Sequence, residues 1–374
     1  MGLLDQHEAA LNTLATESRL RRLSPRAGLD FASNDYLGLG NSNDLRRVVE
    51  EALSRGVAIG AGGSRLLRGN DPEHEALEIG AAAFFGAASA LYFSSGFAAN
   101  STLFATLPGR RDLIVHDALI HASVHDGMRL SFAEKVSTAH NDPQTVDDAI
   151  TNWRAKGGKG QVWIAVESLY SMDGDRAPII DLASVAARHG AFLVIDEAHA
   201  VGVFGPDGRG LAAGLSASEN VIRVVTCGKA LGCEGALVLA SGALTKVLIN
   251  RGRGFIFSTA PSPLMAAAVR GALRLLETQP YRQQALHRRM AEAARLLEPC
   301  GAKASGSQII PLIIGGDDDT MRMAEALQAA GFDVRGIRPP TVPQGTSRLR
   351  ISITLNVTEE DIAALAHIIS EYAH

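Results

Sequence analysis

The residue of this chain best suited to covalent chemistry is a lysine set between glycine and alanine just after an apolar run, in Val225-Thr-Cys-Gly-Lys-Ala-Leu-Gly232. Lysine ordinarily sits on solvated faces, and a desolvated amine has a lowered pKa and can form a Schiff base. The same fragment also reads as a turn lysine in solvent. A second apolar run ends in an acid followed by a histidine, Val194-Ile-Asp-Glu-Ala-His199. Open α/β sheets put their chemistry at the carboxyl ends of buried strands, whereas a simple N-cap would explain Asp196 but not His199. Asp-Glu-Ala-His is also the metal-binding box of one helicase class. That reading needs an upstream phosphate loop, and Gly157-Gly-Lys-Gly160 precedes a strand and has no Ser or Thr after its lysine. Ser94-Ser-Gly-Phe-Ala-Ala-Asn100 reads as a strand-to-helix junction, where backbone N–H groups can take a phosphate.

Two further candidates carry less. His116, His121 and His125 include an i, i+4 pair, but no cysteine or His-Glu-x-x-His arrangement supports zinc. A stacking or hydrogen-bonding histidine is the better reading, and no metal is expected. Gly60-Ala-Gly-Gly-Ser-Arg-Leu-Leu-Arg-Gly69 fits neither the dinucleotide fingerprint nor a P-loop and reads as a surface loop. Pro72 behind Asn70 and Asp71 starts a helix directly after it.

These side chains need elements to hold them. Leu113–His116, Val162–Glu167, Phe192–Asp196, Val221–Thr226 and Ala236–Ala240 are short apolar runs, read as strands covered on both faces. They alternate with helical stretches such as Ile180–His189, which implies crossover units and a mostly parallel sheet. Residues 5–20 read as an amphipathic arm with Leu11, Leu14 and Ala15 on one face. Beyond residue 260 come long helices at 261–277 and 283–297, strands at 309–314 and 348–354, and helices near 320–331 and from Glu359. The expected division is an N-terminal arm with part of a small domain (1–45), a large α/β domain (46–260) and a C-terminal small α+β domain (261–374).

The 374 residues are 46% hydrophobic, and 36 basic against 40 acidic groups give a net charge of −4, which offers no basic field for nucleic acid. No apolar run approaches the roughly 18 residues of a membrane helix, so no membrane partner is expected. Three scattered cysteines and the absence of a signal-peptide pattern point to the cytoplasm.

In order along the chain, Ser33-Asn-Asp-Tyr-Leu-Gly-Leu39, Ser95-Gly-Phe-Ala-Ala-Asn100, His121-Ala-Ser123, Ser171-Met-Asp-Gly-Asp175, Asp196-Glu-Ala-His199 and Thr226-Cys-Gly-Lys229 resemble the α-oxoamine synthases. Those are fold-type I pyridoxal phosphate enzymes that condense an amino acid with an acyl-CoA and release carbon dioxide. The resemblance implies a fold-type I α/β architecture with pyridoxal 5'-phosphate as cofactor. It implies Lys229 as the Schiff-base lysine and base, Asp196 on the pyridinium nitrogen, and His121 stacked on the ring. His199 and Ser171 would lie by the ring oxygen. Gly96 and Phe97 N–H groups and the Thr226 hydroxyl would hold the phosphate, and Thr259 would reach the phosphate of a neighbouring subunit, giving a homodimer with shared active sites. Arg350 would take the amino-acid carboxylate, with Arg21, Arg338 and Thr341 as substrate contacts. The tail Arg338–Arg350 and the Gly63–Asn70 segment look most like the biotin-pathway members, which join L-alanine to a pimeloyl thioester carried on CoA or an acyl carrier. A sister synthase using glycine or serine and a fold-type I aminotransferase are the alternatives. Cys227 and Ala230 depart from the aromatic residue and glycine common in the family.

Overall fold

The computed structural model describes residues 2–372. In chain order the elements are α1 (Asp5–Thr16), β1 (Leu29–Asp30), α2 (Asn43–Ser54), α3 (Pro72–Phe85), β2 (Ser89–Phe93), α4 (Gly96–Thr106), β3 (Leu113–Asp117), α5 (Ala122–Leu130), β4 (Glu134–Thr138), α6 (Pro143–Ala155), β5 (Val162–Glu167), α7 (Ile179–His189), β6 (Phe192–Asp196), β7 (Val221–Thr226) and β8 (Ala236–Ala240). There follow α8 (Gly242–Arg251), α9 (Arg253–Ile256), α10 (Pro263–Thr278), α11 (Tyr281–Leu297), β9 (Ile309–Gly315), α12 (Asp317–Ala329), β10 (Phe332–Asp333), β11 (Arg335–Ile337), β12 (Ser347–Ser352) and α13 (Glu359–Tyr372). They form two compact units: Leu37–Tyr170 with Arg176–Gln283, and Met1–Tyr36 with Ser171–Asp175 and Gln284–His374.

The large unit is a seven-stranded sheet in the order β2-β8-β7-β6-β5-β3-β4. Only β8 runs against its neighbours; the other pairings are parallel. Period-two alternation splits each central strand between two cores. Ile114, Trp163, Ala165, Val194 and Val224 pack with α4 and α5 residues such as Leu103, Phe104 and Met128. Leu113, Ile164, Val166, Leu193 and Ile195 pack with α6 and α7 residues such as Ile150 and Leu182. That double covering is why these strands read as largely apolar runs. The edge strand β4, Glu-Lys-Val-Ser-Thr, is mostly exposed and has no such run, so the apolar pattern does not reveal it.

Side-chain caps fix where the helices begin. Ser95 accepts the Ala98 N–H at the start of α4, and Asp71 and His74 form a reciprocal capping box on α3. α10 lies in the large unit, although the expected boundary fell just before it. It packs on α2 and α3, and Gly271 is what allows α2 so close, since a Cβ there would meet Val48 at 2.4 Å.

The small unit contains an antiparallel sheet β11-β12-β9 and a short parallel pair β1-β10. Gly28, at φ +80°, passes so near the Gly331 carbonyl that a Cβ would sit 2.5 Å from its oxygen. The expected arm is helical as α1, but none of its residues is buried; Leu11 and Leu14 remain exposed.

Candidate active site

Three neighbouring pieces of the large unit converge on one cluster. β6 ends at Asp196, which pairs with Val224 on β7, and β7 runs into the loop that bears Lys229 before β8 returns. That loop is closed by Cys227 N–H to the Gly235 carbonyl (2.8 Å) and Cys233 N–H to the Cys227 carbonyl (2.9 Å). Lys229 Nζ lies 2.7 Å from His199 Nε2. Asp196 is buried; its Oδ1 accepts the Ala198 N–H at 2.9 Å and its Oδ2 accepts Asn100 Nδ2 at 2.7 Å.

His121 stands at the first turn of α5, where its Nδ1 accepts the Ser123 N–H at 3.2 Å and meets the Ser123 hydroxyl at 2.8 Å. The imidazole keeps an exposed face, yet surrounding protein desolvates it and lowers its pKa. The nearby Asp196 carboxylate opposes that shift and the Lys229 amine adds to it. Lys229, Asp196 and His121 therefore share one electrostatic environment, although 33 residues separate the first two and 75 the last two along the chain.

A second part of the cluster suits an anion. Capping of α4 uses the N–H groups of Ala98 and Ala99, leaving those of Gly96 and Phe97 at the helix's positive end. Thr226 lies against this turn: a Cβ on Gly96 would stand 3.6 Å from Thr226 Oγ1. Thr259 is exposed and lines a small cleft with Arg65, Ser94 and Phe255.

The remaining expected residues belong to the small unit. Arg350 is buried on β12 and its donors are largely committed. Nε donates to the Ser171 carbonyl (2.6 Å), Nη1 to Ser352 Oγ (2.7 Å) and Nη2 to Asn34 Oδ1 (3.0 Å). Arg338 donates to the Ser18 carbonyl, and burial lowers its pKa, with the Arg21 charge adding to the effect. Arg21 and Thr341 are exposed.

Sequence reasoning passed over Asn100, Ser123, Asn34 and Ser352 as site residues. Asn100 was legible in principle: it is the one amide side chain of α4, a helix without charged residues, and lies one turn beyond Gly96. Glu197 was also passed over. Burial pushes its carboxyl up against the pull of Arg223, 3.8 Å away, and the N–H groups of Leu211 and Ala212. The two departures lie in packed surroundings. Burial pushes the Cys227 thiol well above its usual value, and the Ala230 methyl faces Gly202, where a Cβ would come within 2.5 Å.

Comparison with known proteins shows the family and the fold. The profile of the aminotransferase class I and II family matches residues 26–369. The chain is 42% identical over 347 residues to an 8-amino-7-oxononanoate synthase of Mycolicibacterium smegmatis, covering 92% of this chain and 89% of the relative. A relative of the same name from Geobacter sulfurreducens is 41% identical over 349 residues, covering 90% and 88%. Among solved structures, serine palmitoyltransferase from S. paucimobilis with a bound PLP–myriocin aldimine superposes with a TM-score of 0.89 at 26% identity, covering 100% and 98% of the two chains. An 8-amino-7-oxononanoate synthase from Francisella tularensis gives 0.77 at 27% identity, covering 92% and 97%. The chain belongs to the aminotransferase class I and II family, with the fold-type I architecture, and within it to the α-oxoamine synthases.

Proposed function

We propose that this protein condenses L-alanine with a pimeloyl thioester, releasing carbon dioxide and the thiol and forming 8-amino-7-oxononanoate. One carbon–carbon bond forms, the thioester C–S bond breaks, and the alanine carboxyl leaves as carbon dioxide. The cofactor is pyridoxal 5'-phosphate, and the donor set fits it. An amine, a carboxylate and an imidazole with one open face lie in one cluster, and a helix N-terminus with a threonine hydroxyl suits the phosphate. When bound, that cofactor supplies an aldehyde for amine exchange and a sink for electrons released at the amino acid's α-carbon.

The residues divide the remaining work. Lys229 would hold the cofactor through its amine, and Nζ would serve as the base that takes the amino acid's α-proton. His199, 2.7 Å from that nitrogen, orients it beside the ring oxygen, with Ser171 as a further contact there. Asp196 keeps a proton on the ring nitrogen, and the Asn100 and Ala198 N–H groups aim its two oxygens. His121 covers one ring face. Gly96, Phe97 and Thr226 hold the phosphate, with Thr259 reaching a second subunit's phosphate in a homodimer. Arg350 pairs with the alanine carboxylate, and Arg21, Arg338 and Thr341 contact the acyl substrate. The reading places the enzyme in the cytoplasm.

The observation that carries the reading is the clustering of Lys229, Asp196 and His121: hydrogen bonds through Asn100 and Ser123 join Asp196 to His121, and Lys229 meets His199 just beyond Asp196. The test is a panel of alanine, glycine and serine against pimeloyl, acetyl, succinyl and palmitoyl thioesters, read by thiol release. Alanine with the pimeloyl donor is expected to dominate. The serine and palmitoyl arm matters because serine palmitoyltransferase gives the higher TM-score of the two structures compared; turnover confined to that pair would overturn the assignment. Lys229→Ala is expected to abolish both the visible absorption of the purified protein and thiol release.

A further inference from the structure

We propose that Asn100 and Ser123 form a buried relay that fixes the tautomer of His121, holding it neutral with its proton on Nε2, and ties that histidine to Asp196. The relay rests on the functional reading above for its purpose, but its geometry follows from the hydrogen bonds of this chain. Asn100 Nδ2 donates one hydrogen to Asp196 Oδ2 at 2.7 Å and the other to Ser123 Oγ at 3.0 Å. The reverse orientation of the amide would press its carbonyl oxygen against a carboxylate. Both hydrogens are thus spent, and Asn100 Oδ1 is left buried without a hydrogen-bond partner. A buried amide that leaves its own acceptor unsatisfied is serving its neighbours.

Directionality continues through Ser123. Its oxygen accepts from Asn100, which turns its hydroxyl hydrogen toward His121 Nδ1 at 2.8 Å. Its backbone N–H also points at that nitrogen, at 3.2 Å, and a backbone N–H can only donate. Nδ1 therefore carries the lone pair, and a neutral ring must bear its hydrogen on Nε2. Two further features disfavour an imidazolium: His121 caps the positive end of α5, and the protein around it is desolvating. The consequence is that His121 presents an N–H donor, without a full charge, toward whatever faces its exposed side. A positioned donor there can bind a substrate oxygen while leaving the protonated ring nitrogen opposite Asp196 as the electron sink. Asn100 and Ser123 are positioning residues in this scheme.

The test begins with wild-type holoenzyme labelled with 15N in histidine, the His121 signals being identified by their loss in His121→Asn. Nδ1 is expected to resonate as an unprotonated nitrogen and Nε2 as an N–H; a proton on Nδ1 overturns the proposal without any relay variant. In folded Asn100→Ala, the two nitrogens should move part of the way toward averaged values, since the released serine hydroxyl leaves the longer backbone N–H of Ser123 as the fixed donor to Nδ1. The kcat/KM for alanine should fall about tenfold, the effect of losing one hydrogen bond. Ser123→Thr, which keeps the hydroxyl, should retain the wild-type nitrogen pattern, while Ser123→Ala should not. An unchanged pattern in both Asn100→Ala and Ser123→Ala sinks the relay. A wild-type protein with no visible cofactor band would instead sink the functional reading, while the nitrogen spectrum still judges the relay.

Discussion

At the scale of single residues, position and partner decide what a side chain can do. Asp196 and Asp117 are both buried acids at the ends of parallel strands with β5 between them, yet their surroundings differ. Burial would raise the Asp117 pKa, but His140 Nδ1 and the N–H groups of Asn141 and Leu119, each at 2.8 Å, outweigh it and hold the carboxyl below its usual range. Those bonds stabilise the fold above the ordinary carboxylate pKa, and the contribution is lost as pH falls through the lowered value. Asp117→Asn should cost about 1–3 kcal/mol at pH 7, with the gap to wild type narrowing in unfolding curves taken near pH 3. Asp196→Asn should behave differently: it should retain cofactor and much of its stability but slow turnover by orders of magnitude, checked by stopped-flow absorbance. An unaltered rate would contradict the electron-sink role. Lys229, Asp196 and His121 were legible because each sits in a short stretch of distinctive residue types. The Asn100–Ser123 link was not, because hydrogen bonds between residues 23 positions apart leave no local pattern.

Among elements, the same division between local and distant holds. β5 and β6 announce themselves through apolar runs, since a strand covered on both faces has little room for polar residues, and β7 does so despite Arg223, whose buried charge faces Glu197. β4 escapes because an edge strand needs polar residues. α10 shows a different limit: its helix was readable, but its allegiance to α2 and α3 depends on a close approach at Gly271 that one sequence does not reveal. Gly271→Val should therefore destabilise the protein by about 1–3 kcal/mol through overpacking against Val48. The Glu197–Arg223 pair braces the segment that follows Asp196, because Glu197 also accepts the N–H groups of Leu211 and Ala212. Arg223→Leu leaves that carboxyl buried with its cation gone and should cost about 3–5 kcal/mol in urea unfolding. A loss near zero would show that Glu197 needs no cation to stay buried.

Across the whole molecule, acid should weaken the fold in two stages. His74, His121 and His125 all have lowered pKa values, with burial the largest cause in each. The unfolded chain takes up protons near the ordinary histidine value that the folded chain resists, so stability should decline as pH drops below about 6.5. Asp30, Asp117 and Glu73, all lowered in the fold, add a second decline in the carboxylate range. Glu197, raised by burial, works in the opposite sense. The expected outcome is a Tm that falls between pH 7 and 5.5 and falls again below about 4; a flat profile over the first interval would contradict the histidine contribution.

The lysine is mounted between two strands that are adjacent in both sequence and sheet, whereas the carboxylate reaches its asparagine across 96 positions of chain. Contacts close in sequence assemble sooner than distant ones. During refolding the amine should thus find its mounting early, while the opposite wall of the pocket arrives late. Regain of the cofactor's colour ought then to track the slowest kinetic phase, making the prosthetic group a clock for the last step of assembly.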